Sequence, residues 1–145
     1  MKKYLATIFT LLISLPILAA DRLVINDAWT PQAPPGRLMA GFLELHNPGD
    51  QDVVLVDAES PDFDRVEIHT MVMVDGVMRM RRLDKLIIPA GETVKLEPGG
   101  LHLMMMGPEV TPGLGDALEI TLIAEDDSRA SFSSIIRPRR APPSN

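Results

Sequence analysis

The chain contains no cysteine. It therefore forms no disulfide and offers no thiol to carry a lipid at an export cleavage site. A thiol oxidoreductase is excluded, and so is an electron-transfer blue-copper centre, which needs a cysteine thiolate. Positive charge is scarce as well. Lys and Arg number 14 against 20 Asp and Glu, and two of the 14 are Lys2 and Lys3 near the start. Without that pair, 12 basic residues face 20 acidic ones, a formal charge of −8, which argues against nucleic acid or an anionic membrane as a partner. Long apolar runs are missing after residue 18. The one early run, residues 4–18, is interrupted by Thr7, Thr10, Ser14 and Pro16 and is short for a span of ~20 residues. With Lys2-Lys3 before it and Ala19-Ala20 before Asp21, it reads as a secretory signal peptide, residues 1–20, cut near Ala20. Leu18 stands three residues before that cut, where a small residue is usual. No stable membrane insertion is expected once the leader is gone.

A sustained helical period is also lacking. Short apolar, β-branched segments are instead separated by turn signals. Strands are expected at 23–29, 38–46, 53–58, 65–74, 77–83, 86–88, 93–96, 101–106, 117–124 and 130–136. Between them lie a proline-rich loop at 31–36, turns at Asn47-Pro48-Gly49-Asp50, Pro89-Ala90-Gly91 and Glu97-Pro98-Gly99-Gly100, and a loop at 107–115. This pattern predicts one all-β domain over 21–137, a Greek-key β-sandwich or barrel, followed by a disordered tail at 138–145. There is no internal repeat.

What the chain does have is concentrated in residues 66–107. Two of its three histidines, His69 and His102, lie there, with seven of its nine methionines. Asp75-Gly76 is a two-residue hairpin signal. If Val74 pairs with Val77, then Met73 faces Met78, Met71 faces Met80 and His69 faces Arg82. By alternation His69, Met71, Met73, Met78 and Met80 share one side of the hairpin. His102 and Met104 share a side of a later strand, opposite Leu101, Leu103 and Met105. A methionine stripe on a strand is commonly core packing, and a lone strand histidine is commonly structural. His46, beside a turn and remote from all methionines but Met39, is read that way. The paired His-x-Met triplets are more informative, because each aims an imidazole and a thioether at one side of its strand. Thioether favours Cu(I) over hard ions, whereas zinc prefers imidazole, thiolate and carboxylate, and calcium takes oxygen.

The same stretch resembles the periplasmic copper chaperones called PCu(A)C proteins, whose motif is His, ten residues, Met, twenty-one residues, His-x-Met. His69, Met80, His102 and Met104 fall at those four positions. Trp29, the HNPGD turn at 46–50, IPAG at 88–91 and the run from Pro98 to Met104 are similar to that family too. The resemblance implies a cupredoxin-like fold and a periplasmic location. It implies one Cu(I) per chain, held by His69, Met80, His102 and Met104. It also implies delivery of that copper towards the dinuclear centre of a cytochrome oxidase, either to the oxidase copper subunit or to another assembly factor. Met71, opposite Met80, is a possible additional ligand. Met73, Met78 and Met106 are expected to form an apolar surround. Some members carry a His- and Met-rich C-terminal extension for Cu(II); RPRRAPPSN at 137–145 has neither residue, so no second site is expected on the tail.

Three other readings stay open at this stage. The same ligands would serve copper buffering or tolerance. A metal-free β-sandwich could use the methionines as an adaptable protein-binding patch. An enzyme is the least supported: no serine lies in a nucleophile elbow, the carboxylates look like a solvated surface, and the predicted mature start, Asp21, is not the N-terminal histidine of a copper oxygenase. The chain is expected to be a monomer and not an enzyme.

Overall fold

The computed structural model describes residues 19–139. Residues 1–18, most of the segment read as a signal peptide at 1–20, and residues 140–145, most of the tail expected at 138–145, lie outside the described residues. Ten strands follow a short 3-10 turn at Ala20–Arg22: β1 (Val24–Pro31), β2 (Met39–His46), β3 (Val53–Glu59), β4 (Phe63–Val74), β5 (Val77–Arg82), β6 (Leu86–Ile88), β7 (Thr93–Leu96), β8 (His102–Pro108), β9 (Ala117–Ala124) and β10 (Arg129–Arg137). Seven of them, in the order β4-β8-β2-β1-β10-β9-β3, close into a barrel through the pairing of Ala58 with Val66. β1 and β10 pair in parallel; the other ladders are antiparallel. β6 extends β3, β7 pairs with the second half of β2, and β5 continues outward from β4. The fold is the single-domain all-β barrel that the strand pattern predicts, with the cupredoxin-like architecture that the resemblance implies.

Alternation explains the interior. Leu43 and Leu45 of β2, Val53 and Leu55 of β3, Val66 and Ile68 of β4, Leu103 and Met105 of β8, and Leu118, Ile120 and Leu122 of β9 all point inward and are buried. Gly41 sits where β2 crosses β8: a Cβ there would stand 3.4 Å from both Leu103 Cβ and Met105 Cε. The 47–50 turn is fastened from inside. Asn47 is fully buried; its Nδ2 donates to the carbonyls of Gln51 (2.8 Å) and Ile88 (3.0 Å), and its Oδ1 accepts from the Gly49 amide (3.0 Å). Asp27, at φ 45°, marks a bulge in β1 after which Trp29 comes into register with Phe42; their rings lie 5.0 Å apart.

The ordered barrel includes Ala19 and Ala20, two residues before the expected start at Asp21. Ala20 is fully buried, its amide donates to Ser128 Oγ (2.7 Å), and the Ala19 amide donates to Asp126 Oδ2 (3.0 Å). A cut after Ala20 would remove these contacts.

One departure from a plain barrel positions the site. β4 is 12 residues long, but its pairing with β8 stops at His69–His102. From Thr70 onward it pairs with β5 alone, so the hairpin projects as an arm beyond the barrel wall. Asp75 (φ 50°) and Gly76 (φ 75°) form the two left-handed positions of a type I′ turn, which suits the twist of the strands it joins.

Candidate metal centre

The outer face of β8, β4 and β5 collects the donors. Val66 and Ile68 occupy the inner face of β4, so Arg65, Glu67, His69, Met71 and Met73 occupy the outer one. On β8 the inner residues are Leu103 and Met105, leaving His102, Met104 and Met106 outside. Two ladders, β4 with β8 and β4 with β5, then set the neighbours. His69 lies directly opposite His102 on one side and Arg82 on the other. Glu67 lies opposite Met104, and Met71 opposite Met80. Met80 and Met104 are therefore diagonal neighbours of His69, roughly 7 Å away at the backbone and within reach of long side chains. The five residues singled out by sequence, His69, Met71, Met80, His102 and Met104, share one face.

The hydrogen bonds determine which ring nitrogens are bare. His102 Nδ1 lies 3.0 Å from the Gly100 carbonyl, which can only accept, so that nitrogen carries the proton and Nε2 keeps its lone pair. His69 Nε2 lies 2.8 Å from Glu67 Oε2, so it donates to the carboxylate, and Nδ1 is left bare. That Nδ1 is buried and has no hydrogen-bond partner, a cost that a native site sustains when the atom has another use. The two rings stand 5.8 Å apart between centroids. A pair of adjacent imidazoles, each fixed by an outer acceptor and each keeping one free lone pair, is how histidines are held for a metal.

Glu67 is the residue that sequence reasoning passed over among the carboxylates of a supposedly solvated surface. Its parity with His69 was the available signal. It is largely buried and pairs with Arg65 Nε (3.2 Å) and Arg82 Nη1 (3.6 Å) besides the histidine. The hydrogen bond from His69, and then the two guanidiniums, hold its carboxyl below the ordinary value of 4.5 against the opposing effect of burial. A carboxyl depressed on folding stabilises the fold in full above its unfolded value and loses that contribution as pH falls through the folded value. The metal-free protein should therefore lose thermal stability on acidification below about pH 4.5, and Glu67→Gln should flatten that acid limb while lowering the plateau. Melting curves from pH 7 to 3 for both chains check this; identical acid limbs would contradict it.

Burial divides the thioethers. Met104 is 7% exposed and His102 5%, whereas Met80 is 51% exposed. Met106 is half-buried and its sulfur accepts from Arg65 Nη2 at 3.5 Å. Met73 and Met78 are 63% and 46% exposed, so they do not form the water-excluding surround expected of them. The arm that carries them has no barrel strand beside it. His46 bonds Thr93 Oγ1 at 3.1 Å, the structural role expected of it. Among the described residues, no three His, Cys, Asp or Glu side chains gather to hold a metal. Two surface clefts of about 320 and 300 Å³, one beside Glu109, Val110 and Pro112 and the other beside Glu59, Asp64 and Arg82, contain neither histidine of the pair.

This barrel, with its donors on the β4–β8 wall, is of the kind found in PCu(A)C copper-binding domains. The chain belongs to that family, and its residues 23–135 match the family model described as "Putative lipoprotein LpqE-like". Among curated relatives it is 32% identical over 110 residues to "Putative lipoprotein Lxx21020" of Leifsonia xyli subsp. xyli (strain CTCB07), covering 75% of this chain and 66% of that one. It is 29% identical over 91 residues to "Uncharacterized protein RP573" of Rickettsia prowazekii (strain Madrid E), covering 62% of this chain and 50% of that one. The chain thus spans only half to two thirds of these relatives. Among solved structures, the Cu(I) form of DR1885 from Deinococcus radiodurans superposes with a TM-score of 0.66 at 29% identity, over 83% of this chain and 81% of that one. The copper-bound PCuAC domain from PmoF2 superposes with a TM-score of 0.68 at 21% identity, over 83% and 97%.

Proposed function

We propose that the chain is an exported copper chaperone that binds one Cu(I) through His69, Met80, His102 and Met104, with Met71 able to join or replace Met80. The observation that carries this is the pair of facing imidazoles, each with one bare nitrogen, flanked by thioethers on the same face. The Cu(I) form of the similar DR1885 supports copper as the cargo. Neutral imidazole and thioether ligands hold the ion by soft bonding without neutralising it, which selects the monovalent state. The asymmetry of burial supplies the release step. His102 and Met104 are held in the wall, while Met80 on the exposed strand can leave as a recipient's ligand arrives, so copper passes without becoming free.

The recipient in this reading is the machinery that builds the dinuclear copper centre of cytochrome oxidase, and the location is the periplasm after removal of the leader. The lipoprotein names of relatives support export, though this chain has no cysteine to carry a lipid. Among the described residues no helix is long and apolar enough to cross a membrane. In a strain lacking the chain, oxidase activity at limiting copper should fall and be restored by the wild type but not by His69→Ala with His102→Ala. Unchanged oxidase activity together with poor survival in excess copper would replace delivery with buffering.

A further inference from the structure

We propose that the projecting arm carries a second, outer position for a soft monovalent cation, held by Met73 and Met78, with Met71 and Met80 as the step between it and the histidine pair. This rests on reading the inner site as a Cu(I) site. The amide of Leu83 donates to the carbonyl of Ile68 at 2.8 Å, which fixes the parity of the hairpin. Residues 68/83, 70/81, 72/79 and 74/77 are then the hydrogen-bonded pairs. Met71/Met80 and Met73/Met78 are the non-hydrogen-bonded ones, in which side chains approach more closely, with Cα atoms about 4.5 Å apart. Each pair can bring two thioether sulfurs to one ion.

The outer pair has no packing role to explain it. Met73 and Met78 are 63% and 46% exposed. A strand that needed only β-propensity would use β-branched residues, as the reverse face of the arm does at Thr70, Val72 and Val74. The sulfur-bearing residues occur only on the face that leads to His69. Same-face residues on a strand are roughly 7 Å apart, so Met73 stands about 13 Å along β4 from His69. That is too far to share one ion with the imidazoles, and Met71/Met80 lies midway. The result is a ladder of thioether pairs running from the hairpin tip to the imidazoles. Without an imidazole, the outer pair should bind more weakly than the inner site, which suits a position that an ion occupies only on its way in or out.

Silver(I) titrated into the exported protein labelled with [¹³C-methyl]methionine tests this, because Ag(I) takes the same soft donors without redox chemistry. The Met80 and Met104 methyl signals should move over the first equivalent, and those of Met73 and Met78 over a second step at least ~10-fold weaker. Met73→Leu with Met78→Leu should abolish the second step and keep the first; leucine preserves the apolar bulk of the arm. Met73 and Met78 signals that stay still, or a second step that survives in the leucine variant, would overturn the outer position and leave the inner site intact. Loss of the first step alone would instead overturn the inner site.

Discussion

A chain carrying Met80→Leu and Met104→Leu should surrender its Cu(I) to a coloured chelator that the wild type outcompetes under anaerobic conditions. Losing one outer partner of a metal ligand already costs about 10–100-fold in affinity, so losing two sulfur ligands should cost at least ~100-fold, or about 2.7 kcal/mol. The fold should survive, because Met→Leu conserves volume and usually costs under ~1.5 kcal/mol even in a core. The single variants should be unequal. Met104 is buried in the barrel wall, and its loss should dominate. Met80 is half exposed and faces Met71, which can take its place, so Met80→Leu alone should cost little. Met71→Leu should likewise be mild alone and severe when combined with Met80→Leu, a non-additivity expected of residues that share one ligand position. A double variant with wild-type affinity would mean that the thioethers are packing residues and that histidines alone hold whatever is bound.

Leu103→Ala should be the costliest change for stability near the site. Leu103 lies on β8 between His102 and Met104, points to the opposite face, and is fully buried against Gly41 of β2. Truncating such a leucine costs about 2–5 kcal/mol, a large part of the roughly 5–15 kcal/mol that holds a domain of this kind together. Copper separates this effect from a ligand effect. A ligand present at 100 times its dissociation constant adds about 2.7 kcal/mol to the folded state. Wild type and Leu103→Ala should gain equally from Cu(I) in denaturant melts, since the donors are unchanged, whereas the Met80/Met104 double variant should gain almost nothing. A loss below ~1 kcal/mol for Leu103→Ala would contradict its placement in the core.

Much of the site was legible because a two-residue turn turns register into arithmetic. Once Asp75-Gly76 is a type I′ turn, the pairings 74–77, 73–78, 71–80 and 69–82 follow, and the structure has each of them. Parity along residues 101–106 likewise separated His102 and Met104 from Leu103 and Met105. Nearly every strand was anticipated to within two residues, because short alternating runs between glycine and proline turns leave little else to form. The closure of the barrel was not legible. The parallel pairing of β1 with β10 and the contact of Ala58 with Val66 join distant segments, and no local period encodes such partners. Glu67 was hidden by the abundance of carboxylates; only its ring-facing neighbour distinguishes it. The exposure of Met73 and Met78 was hidden because pattern gives the face of a strand but not where its neighbour ends. β4 continues past the end of its ladder with β8, and that overhang decides their fate.

The histidine arrangement also gives the site a direction. His102 is tied to a backbone carbonyl of its own turn, a rigid anchor. His69 is tied to a side chain, Glu67, that is itself held by two arginines, one of them on the projecting strand β5. Displacement of β5 by a docking partner would therefore disturb Arg82, Glu67 and His69 together and take Met80 with it, while His102 and Met104 stayed in place.

The most direct test of the central claim is X-ray absorption at the copper edge on the anaerobically loaded protein, with one equivalent of Cu(I) per chain. The account predicts a Cu(I) edge and a coordination shell containing both imidazole nitrogen and thioether sulfur, with the sulfur contribution lost in Met80→Leu with Met104→Leu. A shell of nitrogen and oxygen only, or a spectrum unchanged by that double substitution, would contradict it.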